Sequence, residues 1–203
     1  METSALPTAA ELRDELRSRI FRHYAPTAAR VLGLELQPFS LWHWRTLDLL
    51  QSPFAPDSLA ESWTDEDVAI AARLCALAPF SARVFDLGRL ERLRLIYRTK
   101  RHAKDMVHHA NTLSEHVTAS LLGPVKWQRA GGVPVRCPGW LYLVAGLVSA
   151  GWSERAAWHK TPGEARCLLG AIDVVKGGSD FMDEQEALTA LDAGHTREDI
   201  GLV

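Results

Sequence analysis

From Ser81 to Leu122 the chain contains neither a proline nor a turn cluster, only the single Gly88. A stretch so free of breakers reads as one long helix, or as two joined by a break, and it commits the chain to a helical fold. Signals of the same kind recur on both sides. Thr8-Ala-Ala-Glu11 has capping-box form and is followed by Leu12, Leu16, Ile20 and Phe21 at helical spacing, with the helix expected to reach Tyr24. Pro26 stops it, Thr27 to Leu32 is expected to add a helical turn before Gly33, and residues 35–39 should be extended because the residue before Pro38 avoids the α region. Ser40 caps a second helix carrying Leu41, Trp44, Leu47 and Leu50, which Ser52-Pro53 ends. Thr64-Asp-Glu-Asp67 opens a third, with acidic groups where the helix dipole favours them and Val68, Ala71, Ala72, Cys75 and Leu77 behind.

Residues 123–139 break the pattern with Gly123-Pro124, Gly131-Gly132, Pro134 and Pro138-Gly139. A loop of that length in a compact domain is usually functional or disordered. Beyond it, Trp140 to Ala150 forms a helix closed by Gly151, Ser153 caps a short helix through Trp158, and Thr161-Pro162-Gly163-Glu164 starts another. The last helix is expected over Asp183 to Leu191. The fold class is therefore all-α: an irregular helical bundle with a long central helix and a Gly/Pro-rich loop before a smaller C-terminal helical part. The expected organisation is an N-terminal bundle over 1–122, the loop over 123–139 and a C-terminal subdomain over 140–203.

Composition narrows the function classes. The 203 residues are 47% hydrophobic and 24% charged, an ordinary core-forming balance that excludes wholesale disorder. A net charge of −2 supplies no long-range attraction for polyanions, which disfavours nucleic acid. Cys75, Cys137 and Cys167, odd in number and widely spaced, match neither a disulfide framework nor a CxxC metal site and point to a reducing compartment. Met1 to Glu11 lacks a basic n-region and an apolar h-region, and the longest apolar run, Trp140 to Ala150, is about half of the ~20 residues a membrane span needs. The expectation is a cytoplasmic protein without membrane contact.

Candidate chemistry is sparse. His102, His109 and His116 recur every seven residues, but on a continuous helix that spacing holds them ~10 Å apart along the axis, too far for one ion. Only Asp105 with His109, at i and i+4, could chelate locally; no metal or cofactor is assigned, and the stripe reads as the flank of a core helix. Arg89, Arg92, Arg94, Arg98, Lys100, Arg101 and Lys104 interleave with Leu90, Leu93, Leu95, Ile96 and Tyr97. Leu90, Leu93 and Tyr97 fall at spacings of three and four, which predicts a buried seam with a basic solvated face, better suited to an acidic protein partner than to DNA. Of the tryptophans at 42, 44, 63, 127, 140, 152 and 158, most are expected in the core. Trp127 stands apart between Lys126 and Arg129 in the loop, and aromatic and arginine side chains are the usual interface anchors. Cys137 beside Arg136 has no assignable histidine partner to make it a nucleophile. Lys160-Thr161 lacks the upstream glycine of a phosphate loop, and no GxSxG, HExxH, GxGxxG or EF-hand pattern occurs, so no enzyme is expected.

Two stretches carry a resemblance. One runs from Pro38-Phe-Ser-Leu-Trp-His-Trp to Phe54 with the acidic-capped helix after it; the other is Pro138-Gly-Trp-Leu-Tyr-Leu-Val through Trp152, Trp158 and Thr161-Pro162-Gly-Glu-Ala165. Together they resemble small proteins from the tail-gene region of bacteriophages and prophages, among them tail assembly chaperones. The resemblance spans residues 36–186 and rests on apolar patterning. It implies a non-enzymatic helper that keeps a helical tail component, the long tape-measure protein, in solution during assembly, and it brings no catalytic residues. The partner-binding residues expected are Trp127, Lys126, Arg129, Arg94, Arg98, Arg101 and Lys104; a homo-oligomer is compatible with the same surface. The alternatives are a structural tail or head component retained in the particle, and a metal-binding helical protein using the histidine stripe.

Overall fold

The computed structural model describes residues 7–21, 28–81, 88–123, 137–176 and 184–194. Helix α1 (Ala9–Phe21) is followed by a small antiparallel hairpin, β1 (Arg30–Val31) and β2 (Leu34–Glu35), paired Arg30 to Glu35 and Val31 to Leu34. Then come α2 (Leu41–Leu49), α3 (Asp65–Cys75), α4 (Arg89–Arg101), a 3₁₀ turn (Ala103–Asp105), α5 (Met106–Leu121), α6 (Gly139–Ser149), α7 (Glu154–His159), α8 (Pro162–Val175) and α9 (Glu184–Asp192). The all-α class holds. No helix among the described residues is long and apolar enough to cross a membrane.

Helix starts follow the capping chemistry. Glu11 and Thr8 exchange the capping-box bonds at α1, Thr64 and Asp67 do so at α3, and Thr161 Oγ1 accepts from the Glu164 amide at α8 with Pro162 in the first turn. At α2 the box is unusual: Ser40 caps, and His43 stands where glutamate or glutamine normally would. The helical turn expected up to Leu32 is replaced by the hairpin. Leu32 and Gly33 both sit at positive φ, 51° and 72°, as the tight two-residue turn between twisted strands requires, and Leu32 tolerates it because its side chain is wholly buried.

One apolar cluster joins Val31 and Leu36, Phe39, α2 (Leu41, Trp44, Leu47), α3 (Val68, Ala72, Leu74), α5 (Met106, Ala110, Leu113, Val117), α6 (Leu143, Val144, Leu147), α7 (Trp158) and α8 (Ala165). Helix α6 packs on α2, α7 and α8, and α5 packs on α3 and α8, so helices before and after residues 123–139 share this core. A second, smaller cluster pairs α1 with α9 through Leu12, Ala187, Ala190 and Leu191. Trp42, Trp44 and Trp158 are buried and Trp140 and Trp152 half-buried, while Trp63 is exposed.

Among its described residues the breaker-free stretch resolves into two helices, α4 and α5, with the 3₁₀ turn between them. Between these two helices the interruption falls at His102–Asp105, where the amide of Asp105 bonds the His102 carbonyl, and Gly88 precedes the first residue of α4 in a non-helical conformation. Residues 82–87 lie outside the described ones.

Candidate functional site

Helix α4 buries none of its residues. Leu90, Leu93 and Tyr97, expected as a buried seam, are 72%, 62% and 64% exposed, and Ile96 is also exposed. The spacing of three and four correctly placed them on one face, but that face looks outward. What holds α4 down is its other side. Leu95 packs against the main core, and the Arg73 guanidinium, itself buried, bonds Glu91 at 3.3 Å.

The outward face borders a groove of about 580 Å³ between α4 and the turn of the hairpin. Leu32, Gly33, Leu90, Leu93 and Tyr97 supply its apolar part; Arg94, Arg98, Arg101 and His102 supply its polar part. Arg98 is half-buried and donates from Nη1 to the Leu32 carbonyl at 3.1 Å, so it ties α4 to the turn. Among the described residues Arg94 and Arg101 have no hydrogen-bond or ion-pair partner, which leaves their donors available to a ligand. Lys104, in the 3₁₀ turn, is exposed but does not line the groove. Three of the four basic residues singled out in this helical stretch therefore meet in one place. Lys126, Trp127 and Arg129 lie outside the described residues.

A second groove of about 490 Å³ runs along the opposite flank of α4, where Asp65, Glu66, Ala69 and Ile70 of α3 face Arg92, Leu95, Ile96 and Lys100. Its charges are mixed, whereas the first groove holds only basic and neutral groups. A groove of that character suits an amphipathic segment with apolar anchors and carboxylates on its flanks.

The histidines depart from the regular stripe. His109 Nε2 lies 3.3 Å from His102 Nδ1, and the two rings meet edge to face with centroids 5.0 Å apart. Burial, reinforced by His102 and His108 nearby, pushes the His109 pKa down, against an opposing pull from Asp105. His116 is engaged elsewhere, its Nε2 donating to the Gln37 carbonyl at 3.0 Å, and burial lowers its pKa as well. The rings of His102 and His109, expected to lie too far apart for one ion, thus meet across the interruption between α4 and α5. No sequence signal marks that interruption, since residues 102–105 include neither glycine nor proline.

Other candidates are absorbed by structure. Burial pushes the Cys75 thiol up to about 12, which removes it as a nucleophile; Cys137 is exposed and Cys167 half-buried, and all three are free thiols. Lys160 bonds Glu164 and lies 4.8 Å from the centre of the Trp152 ring, a structural engagement in place of phosphate binding. Among the described residues no three histidine, cysteine or acidic side chains form a metal-ligand group. Comparison with protein-family models, curated proteins and solved structures gives no match for this chain.

Proposed function

We propose that this chain is a non-enzymatic binding protein that seats an amphipathic, acidic-flanked helix of another protein on the outward face of α4. The observation that carries this reading is a helix of thirteen residues with none buried, whose exposed leucines and tyrosine stand among arginines. Solvating that much apolar surface is unfavourable, and contiguous exposed apolar area next to unpaired guanidinium groups is characteristic of interaction surfaces. In the class suggested by the resemblance to phage tail-region proteins, the partner is a helical tail component of the tape-measure kind and the role is that of an assembly chaperone. That part rests on the sequence resemblance alone.

Co-expression with such a component, followed by size-exclusion chromatography, tests the proposal. The expected outcome is a co-eluting complex with a partner that is insoluble when expressed alone. Leu93→Ser combined with Arg94→Glu and Arg101→Glu should abolish co-elution and leave the far-ultraviolet circular dichroism of this chain unchanged. Co-elution that survives the triple change would remove α4 as the docking face, and a partner that stays insoluble beside the unaltered chain would remove the chaperone role.

A further inference from the structure

The interruption between α4 and α5 brings together two imidazoles that a continuous helix would hold apart. Their facing nitrogens, His102 Nδ1 and His109 Nε2, are 3.3 Å from each other, with the ring planes at 79°. Two imidazole nitrogens bound at 2.0–2.1 Å to one tetrahedral ion stand about 3.3 Å apart, so the observed separation is that of two corners of a coordination sphere. Without an ion the two nitrogens share a hydrogen bond at the long end of the usual range, a contact that an ion between them would replace. The remaining nitrogen of His109, Nδ1, is buried without a hydrogen-bond partner. The contact with His102 is compatible with either tautomer, so Nε2 can present its lone pair while Nδ1 carries the proton.

We propose that His102 and His109 form a two-histidine site for a divalent transition-metal ion of the zinc, nickel or copper class, with the other coordination positions open. Imidazole suits these ions, and affinity for a nitrogen site rises toward copper. Among the described residues no third side chain completes a group of three, so water or an outside ligand fills the remaining positions. His116 takes no part, being engaged by the Gln37 carbonyl. The site adjoins the basic groove, since His102 is one of its lining residues beside Arg101. A bound ion adds positive charge there and offers an open coordination position to a carboxylate.

The test is isothermal titration of the full-length, untagged chain with zinc(II) and then copper(II), a readout that needs no docking partner. One equivalent should bind, with copper tighter than zinc. His102→Ala and His109→Ala should each weaken binding by about tenfold or more, at least what loss of an outer-shell partner costs, while His108→Ala and His116→Ala should not. Imidazole proton resonances of the unaltered chain give a check free of folding effects: zinc should move the His102 and His109 signals and leave His43 in place. The proposal is overturned if the unaltered chain binds no better than the His102→Ala/His109→Ala double variant. It is overturned equally if the shifts fall on other histidines.

Discussion

The His43 ring is wholly buried, and its hydrogen bonds specify its protonation state. Nε2–H donates to the Leu77 carbonyl at 2.8 Å, which leaves Nδ1 as the acceptor of the Ser40 amide at 3.0 Å. Charging the ring would place a proton where that amide already donates, in a site without solvent. Burial, opposed by the Leu77 bond and aided by His116 and His159, pushes its pKa down from 6.5 to about 4. Above pH 6.5 folded and unfolded chains both hold the ring neutral, and its contribution is complete. As pH falls from there toward 4, the unfolded chain takes up a proton that the folded one refuses, and stability drops by roughly 3 kcal/mol. Urea titrations across this range should show that loss, and His43→Gln, which keeps a capping-box side chain, should flatten it. An unchanged pH slope in that variant would refute the assignment. Gly139 is constrained sterically: a Cβ there would lie 2.7 and 2.9 Å from Cη2 and Cζ2 of Trp44, whose ring is buried. Gly139→Ala should therefore cost roughly 1–3 kcal/mol by denaturant unfolding, despite the better helix propensity of alanine.

At the scale of the element, α4 and α5 adjoin in sequence and differ in what packing asks of them. In α5, Met106, Ala110, Leu113 and Val117 form an inward stripe, and Leu113→Ala should cost about 2–5 kcal/mol. In α4 the equally apolar Leu93 is exposed, and Leu93→Ser should change stability by less than about 0.5 kcal/mol. Thermal melts of the two variants side by side check the contrast, and comparable losses would mean that α4 is a core helix after all. Helix α8 depends on its start: Thr161 is buried, caps the Glu164 amide and precedes Pro162, so Thr161→Ala should cost about 1 kcal/mol.

Across the whole molecule the apolar surface is divided unequally. The main cluster ties the hairpin to helices α2 to α8, whereas among the described residues α1 and α9 meet through a handful of side chains around Leu12. A small cluster of this kind opens at lower free energy than the larger shared core. Native-state hydrogen exchange should show α1 and α9 losing protection together, ahead of α3, α5 and α6; protection of α1 equal to that of α5 would contradict this. The proposed binding surface is as uneven, with the basic groove formed where α4 rests on the hairpin turn and the histidine pair at its end.

Helix starts were legible locally because they depend on residues within a few positions. Ser40, Thr64, Ser153 and Thr161-Pro162 announce α2, α3, α7 and α8 through bonds that their own neighbours complete. The basic character of α4 and the shared face of Leu90, Leu93 and Tyr97 were equally readable, since periodicity alone decides which side chains share a face. Which face would be buried was not, because that depends on the neighbours α4 finds, and Leu95 with Arg73–Glu91 wins over the leucine stripe only once α3 is beside it. The hairpin at residues 30–35 is not legible because two-residue strands carry too little pattern to register, and the side chain of Leu32, at positive φ, is buried in the tertiary core. The His102–His109 encounter escapes the sequence because seven-residue spacing on an unbroken helix keeps the two rings apart. Local propensity and capping thus determined the helical elements and their order. Burial and contact between distant segments decided where the long helix breaks, which face of α4 stays open and which histidines meet, because those outcomes minimise free energy over the whole chain rather than within any window of it.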